Sequence, residues 1–595
     1  MNTMNNIYKG VSTLALGLVC GLTASCDDFI EVKPTGVIDE ELAYSSPEKM
    51  TTAAYASLGD CWYTYPFNLW PFGDVASDDA FKGGSGVNDT NYHPVEVWSN
   101  LSSSNPDHLD ELWYRFYVSI SRCNRALISL SQYGEKELGA ETALQRVGEV
   151  KFIRAHFYFK LVEMFNRVPW IDETVVENDS HESVSNTEYT HDELMQMITD
   201  DFQAAYDALP AGSPGKDARV NKEAAAAYLA KCYLYRAYGD GYEASTGYSN
   251  VNQDYMQKVI DYTDVVANSS FGYLDDFGDI FLPAYKNSKE SVFAVQTSHY
   301  TEDNTEKGRA NWSNTLNGCW GMWSKGWDFH KPSQNLVNAF KVGDDGLPMF
   351  DTYENEHNSY PVLGVASAQK YDPRLFHTVG MPSWPYKYET GTTSDGVSLT
   401  MTKDNSRNPS TYGYYTSLKD VSQRSEGETF VESTWQSFAM NDYVFRYTDV
   451  MLMRAEAMIE TGDLDGALLI INDIRTRAKN SVSKHIAYAQ DYVDIATYPS
   501  FPSKDYARQA LRWERRLEMA MESSRFFDLR RWGMASTTLN NFFSLEVQDN
   551  YDGQAYAQYY GDAHFTAGKN EYFPIPYNQM FYVPGLYTQN QGYAN

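Results

Sequence analysis

The sequence predicts a mainly α protein: helix pairs form a scaffold, and a loop-rich lobe with short strands is set into it. Three observations predict this. Long segments carry apolar residues at three- and four-residue spacing, the mark of helices with one packed face. Strand-like patterning is confined to short runs such as ESVFAVQTSHY, residues 290–300. Between roughly Thr301 and Asn441 helical periodicity fades while Gly, Ser, Asn, Asp and Thr rise.

Taken in order, residues 1–25 read as a secretory signal. Lys9 precedes the apolar run Val11–Leu22, and Thr23-Ala24-Ser25 stand before Cys26. The apolar run is too short to span a bilayer, and no later stretch reaches 18 apolar residues. The small residues before Cys26 look like a lipobox, with the usual Leu displaced by one to Leu22, so cleavage and lipidation at Cys26 are expected. Residues 26–45 then form a tether, and the first helix begins near Ser46.

An N-terminal helical region is expected over 46–300. Its helical patterning runs from Asp107 to Phe165, Thr190 to Pro210, Asn221 to Tyr238 and Asp254 to Ala267. The loop-rich region follows over 301–441, because ordered loops this long usually carry function. A C-terminal helical region occupies 442–595, with a helix pair at Phe445–Thr461 and Leu464–Ala478. Ala455 and Ala467 lie twelve residues apart across its turn, the spacing a tetratricopeptide pair uses where two helices cross closely.

Near the end of the chain, LRWERRLEMAMESSRFFDLRRWG (511–533) reads as one helix with two stripes. Trp513, Leu517, Ala520, Met521, Ser524 and Phe527 form the packed stripe. Arg515, Glu518, Glu522 and Arg525 form a charged row beside it, which Asp528 and Arg531 extend. Two carboxylates near each other suggest a glycosidase couple, but arginines on both sides lower their pKa values, whereas a general acid needs a raised one. A structural ion-pair row is the expectation.

Composition excludes several classes. The chain has 595 residues, 43% of them hydrophobic and 21% charged, which describes a globular protein. A formal charge of −31 repels phosphate backbones, so nucleic acid is not an expected partner. The six cysteines, at 20, 26, 61, 123, 232 and 319, make no CxxC; the last four read as buried thiols. There is no HExxH, and no cofactor or metal is expected. Asp463-Leu464-Asp465-Gly466 imitates a calcium loop but puts Gly at the fourth position and Ile474 where Glu is required.

Aromatics make up 15% of the chain, and Trp312, Trp320, Trp323 and Trp327 fall within sixteen residues rich in Asn, Ser, Gly and Lys. A core helix would surround them with aliphatics. Indole plates beside amides suit sugar rings, which present apolar C–H faces edged by hydroxyls. Such a site binds without any catalytic pKa.

The motif E-R-R-x-E-x-x-x-E-x-x-R-x-x-D-L-x-R-W-G, running from Glu514 to Gly533, resembles the signature of the SusD/RagB family of glycan-binding outer-membrane lipoproteins. Ser524 stands where that family usually has Gly. The blocks ELWYRFYVSISRCNRALISL, GEVKFIRAHFYFKLVEMFNRVPW, YFPIPYNQM and QNQGY also resemble family blocks, with Asn166 in place of Gly and Gln591 in place of Pro. The resemblance implies a SusD-like fold of tetratricopeptide-like helix pairs. It implies a surface-exposed lipoprotein, lipid-anchored at Cys26, that hands oligosaccharide or polysaccharide to a SusC-like TonB-dependent transporter and is not an enzyme. It further places glycan contacts at Tyr300 and Trp323, with Trp320 as the near substitute. Asp78, Asp79 and Lys82 of an SDD-containing loop, or Trp98, add a third contact, with Trp70 a neighbour that either packs or binds. Two other readings compete: a lipoprotein glycoside hydrolase using Asp78 or Asp79 with an acid from 301–441, and RagB-like peptide capture.

Overall fold

The computed structural model describes residues 44–594 apart from 216–218, 247–249, 299–309, 323–325, 358–359, 395, 397, 427–428, 433–434, 549, 552–553 and 556. Helix takes 51% and strand 8%, which makes the protein mainly α. The scaffold helices are α1 (Pro47–Ser57), α2 (His108–Ser129), α3 (Ala140–Phe165), α4 (His191–Ala208), α5 (Lys222–Tyr238), α6 (Gln253–Ala267), α7 (Tyr447–Thr461), α8 (Leu464–Asn480) and α9 (Lys504–Met519). Each packs on the next in sequence from α1 to α7, and α7 packs on both α8 and α9. Because α6 touches α7 directly, the long segment between them is an insertion that leaves a continuous helical stack.

The helix starts follow from their polar caps. Thr190 accepts the Glu193 N–H while Glu193 bonds back to the Thr190 N–H, a complete capping box. Asn221, Asn252 and Ser503 cap α5, α6 and α9 in the same way with one bond each. Asp463, the first residue of the false calcium loop, spends its side chain on the Gly466 N–H at the start of α8. At the crossing of α7 and α8, Ala455 and Ala467 are both fully buried, packed with Leu452, Ile459, Ile471 and Ile474. Their small side chains let the two backbones approach.

Strand β1 (Ala80–Gly83) pairs antiparallel with β3 (Phe329–Pro332), aligning Phe81 with Lys331. Strand β2 (Ser291–Val295) pairs antiparallel with β4 (Asp442–Arg446), aligning Phe445 with Phe293. The inserted lobe therefore starts and finishes side by side on the scaffold. Its N-terminal neighbour, the loop before β1, is stitched into it.

The signature does not form one helix. Helix α9 ends at Met519, and α10 (Arg525–Arg531) starts after a turn in which Met521 and Ser523 have φ of 63° and 68°. The cause is a segment from far upstream. Gly73 lies so close that a Cβ there would sit 2.0 Å from the Ser523 carbonyl oxygen, and the Ser523 N–H donates to Asp74 at 2.8 Å. Ser524 itself has φ −107°, so a serine stands there without strain. Asn166, the other residue in a usual glycine position, does adopt a positive φ, 66°, at the end of α3. Asn590 near the C-terminus closes that end by donating to the Phe165 and Phe573 carbonyls at 3.0 and 2.7 Å.

With the helix broken, most of the charged residues pair outward, while Arg515–Asp528 and Asp528–Arg531 remain as pairs within the expected row. Arg515 meets Asp528 of α10 and Asp449 of α7, each at 2.6 Å. Glu518 takes Arg374, Arg446 and Arg477, three arginines from three other segments. Glu522 takes Lys419 and Arg446. Arg525 turns to Asp78, and Arg531 to Glu456 and Asp528. Burial alone would raise the Glu518 pKa; Arg477, Arg446 and Arg374 overcome it and hold that carboxyl well below the usual range.

Candidate carbohydrate-binding ledge

The predicted contacts divide sharply. Asp78 and Asp79 are 1% exposed and lie under the signature arginines: Arg516 reaches both, at 3.0 and 2.8 Å. They are buried ion-pair partners of Arg516 and Arg525, and among the described residues the hydrolase arrangement built on them is not formed. Burial raises the Asp79 pKa to about 6, with Arg516 opposing it and Asp78 adding to it. Trp98 is also interior. Its ring stacks on Phe573 at 5.3 Å, and its Nε1 donates to the Ala76 carbonyl. Trp70 is fully buried and donates to the Ser313 carbonyl. Large aromatics bury the most apolar area, and these two are used for that. Tyr300 and Trp323 lie outside the described residues.

Lys82 has a different task from the one expected. Its ammonium is fully buried and donates to the carbonyls of Gly83, Gly86 and Asp89, at 3.0, 2.8 and 2.8 Å. It thereby fixes the glycine-rich loop that follows β1. Gly83 has φ 80°, and a Cβ there would meet the Asp328 carbonyl at 2.1 Å, so the loop's entry needs glycine. Within the loop, Asp89 accepts from the Ser85 N–H and hydroxyl and from the Arg407 Nη1 at 2.9 Å.

Arg407 carries the outer surface. Its guanidinium lies over the rings of both Trp320 and Trp327, 5.2 and 5.0 Å from their centroids. Its own N–H is held by buried Asp328 at 2.7 Å. Trp320 is 42% exposed, which makes it the open face of this cluster, and Trp327 is half-buried. Asn405 donates to the Trp320 carbonyl and its own backbone carbonyl accepts the Trp320 N–H, both at 3.1 Å, so the turn at Asn405 fixes the backbone that carries this indole. Trp312 is half-buried against Trp62, with ring centroids 4.9 Å apart. The loop bearing Trp62 is fastened to the Trp312 segment by the Asn68–Asn314 side-chain bond at 2.7 Å and by the Phe67 N–H on Ser313.

Two members of the ledge escaped the sequence reading. Trp62 stands in the aromatic run CWYTYPFNLW, a signal that was available. Arg407 stands in SRNPS, where nothing in the local sequence distinguishes it. Only the pairing of β1 with β3 brings its partner Asp89 alongside.

The fold is a stack of helix pairs bearing an irregular lobe, and the lobe presents an open indole, Trp320, beside Arg407. Residues 289–593 match the SusD family, and residues 28–234 match a family described as "Starch-binding associating with outer membrane". The chain belongs to the SusD family. It is 22% identical to a SusD-like protein of Bacteroides ovatus over 88% of this chain and 83% of that one. Among solved structures it resembles a SusD homolog from Bacteroides thetaiotaomicron with TM-score 0.67 at 20% identity, covering 92% of this chain and 97% of that one. It also resembles a "Laminarin binding SusD-like protein" with TM-score 0.61 at 22% identity, covering 92% and 99%. At these identities the structural likeness establishes the fold. Among the described residues, no helix is long and apolar enough to cross a membrane.

Proposed function

We propose that this protein captures oligosaccharide or polysaccharide on the ledge of Trp320, Trp327 and Arg407, with Trp62 and Trp312 as a second aromatic contact. The observation that carries the reading is the Arg407 guanidinium lying over two indoles while one of them stays 42% open to solvent. A sugar ring places its C–H face on Trp320, and its hydroxyls exchange water for polar groups of the protein. The glycan is held and not cleaved. The chain is lipid-anchored at Cys26 on the outer membrane and passes its glycan to a SusC-like TonB-dependent transporter. Glycan capture is supported by two similar structures, a laminarin-binding SusD-like protein and a surface glycan-binding protein of Bacteroides fluxus.

The test is a titration of purified neutral polysaccharides by calorimetry or affinity electrophoresis, repeated with Trp320→Ala. Binding lost in that variant supports the ledge. Binding to peptides and to no glycan would favour peptide capture, and release of reducing sugar would favour a hydrolase. Mass spectrometry of the mature N-terminus checks acylation at Cys26.

A further inference from the structure

A cleft opens between α3, α5, strand β4 and the turn that breaks the signature. Its cavity volume is about 140 Å³, well above the roughly 10–15 Å³ that one water needs on the same measure, so it has room for a small ring. Phe159, Tyr235 and Phe281 supply apolar wall, and Asn68, Asn314 and Asn441 supply amides.

Five cationic and five anionic side chains line it, so no net charge selects an ion. Most of these charges are already matched. Lys419 and Arg446 share Glu522, and Arg515 holds Asp449. Lys231 and the Tyr235 hydroxyl meet Glu163, and Asp420 meets His330. Two groups stand apart. Lys160 spends one N–H on the Phe67 carbonyl at 2.7 Å. The Asp442 carboxylate accepts no hydrogen bond from any described residue, and no ion pair joins it to Lys160 among the described residues, although each senses the other's charge. Burial acts on both: it raises the Asp442 pKa to about 6 and lowers that of Lys160 to about 8. A half-buried carboxylate with no donor calls for one.

We infer that this cleft is a binding site for a single uncharged polyhydroxylated ring, a monosaccharide or one unit of a glycan, with one hydroxyl donating to Asp442 and another accepting from Lys160. A neutral diol fits this pair better than an ion does, because it supplies both a donor and an acceptor and adds no charge to a balanced site. The cleft is joined to the ledge by the Asn68–Asn314 bond, which lies on its rim two residues from Trp312. The ligand class rests on the glycan-binding reading; the site itself rests on the cleft.

The experiment uses the mature protein with free D-glucose, D-galactose, D-mannose and D-xylose, followed by saturation-transfer NMR and by soaking crystals of the wild type. One of these sugars is expected to bind in the cleft. Asp442→Asn and Lys160→Met each should weaken it about tenfold, the loss of one buried hydrogen-bond partner, while Leu469→Ala, at an exposed position on α8, leaves it unchanged. Melting curves show whether the variants are folded, and density in the soaked wild type decides if they are not. No monosaccharide in the cleft, or binding that follows Trp320 and ignores Asp442, would overturn the proposal. Polysaccharide binding that survives in either case leaves the ledge reading intact, and cleft binding without polysaccharide binding removes the ledge alone.

Discussion

Arg516 and Asp79 are 437 positions apart in the chain, yet the Arg516 Nε donates to the Asp79 carboxylate at 2.8 Å, with 2% and 1% of the two side chains exposed. Asp78 completes the cluster through Arg516 and Arg525. The two ends of the protein are thus locked by ions that no solvent screens. Removing one partner strands the other in the interior. Arg516→Ala is expected to destabilise folding by about 3–5 kcal/mol, measured by urea or thermal unfolding, and a variant as stable as wild type would refute the account.

The tryptophans should separate into two kinds. Trp98→Ala removes an interior ring and should cost about 3–5 kcal/mol of stability. Trp320→Ala should leave the melting temperature unchanged and reduce polysaccharide affinity about tenfold or more. Arg407→Ala should also reduce affinity, because it removes the support shared by Trp320 and Trp327. Calorimetric titration beside melting curves reads both effects, and equal behaviour of Trp98 and Trp320 would contradict the division.

His330 gives the stability a pH dependence. It is buried between Asp420 and Asp74, at 2.5 and 2.9 Å. Burial disfavours its charge, but the Asp420 and Asp74 carboxylates outweigh burial and raise its pKa to about 9. A raised histidine stabilises the fold fully below its unfolded value, near 6.5, and loses that contribution as pH rises through the folded value. Unfolding free energy should therefore fall by about 3 kcal/mol between pH 6.5 and 9, and His330→Gln should flatten that slope. A slope unchanged in the variant would show that His330 is not its source.

The α7–α8 crossing tolerates only small side chains. Ala467→Leu inserts bulk where Ala455 and Leu452 already touch, and overpacking of this kind should destabilise by about 1–3 kcal/mol. The matched change at exposed Leu469, Leu469→Ala, should be nearly neutral. Thermal denaturation of the pair distinguishes a packed crossing from a loose one.

Much of the scaffold was legible before any coordinates. The spans expected at Thr190–Pro210, Asn221–Tyr238 and Phe445–Thr461 appear as His191–Ala208, Lys222–Tyr238 and Tyr447–Thr461. Caps and periodicity are local, so a reader of the chain sees them. The signature was the exception. Its pattern fits one helix, but Gly73 and Asp74, more than four hundred residues upstream, hold Ser523 in a turn that the pattern does not encode.

What the sequence by itself determined is the helical class, the family and the richness in aromatic rings, because periodicity and motif spacing are properties of neighbours along the chain. What only the tertiary structure decided is which polar and aromatic groups meet solvent. Asp78, Asp79 and Trp98 have the right chemistry for a sugar, yet they are sealed by partners contributed from remote segments, and Lys82 is spent on the carbonyls of its own loop. Trp320 has the same chemistry and stays open. Exposure depends on what the rest of the chain folds over a residue, and that is set by packing at a distance.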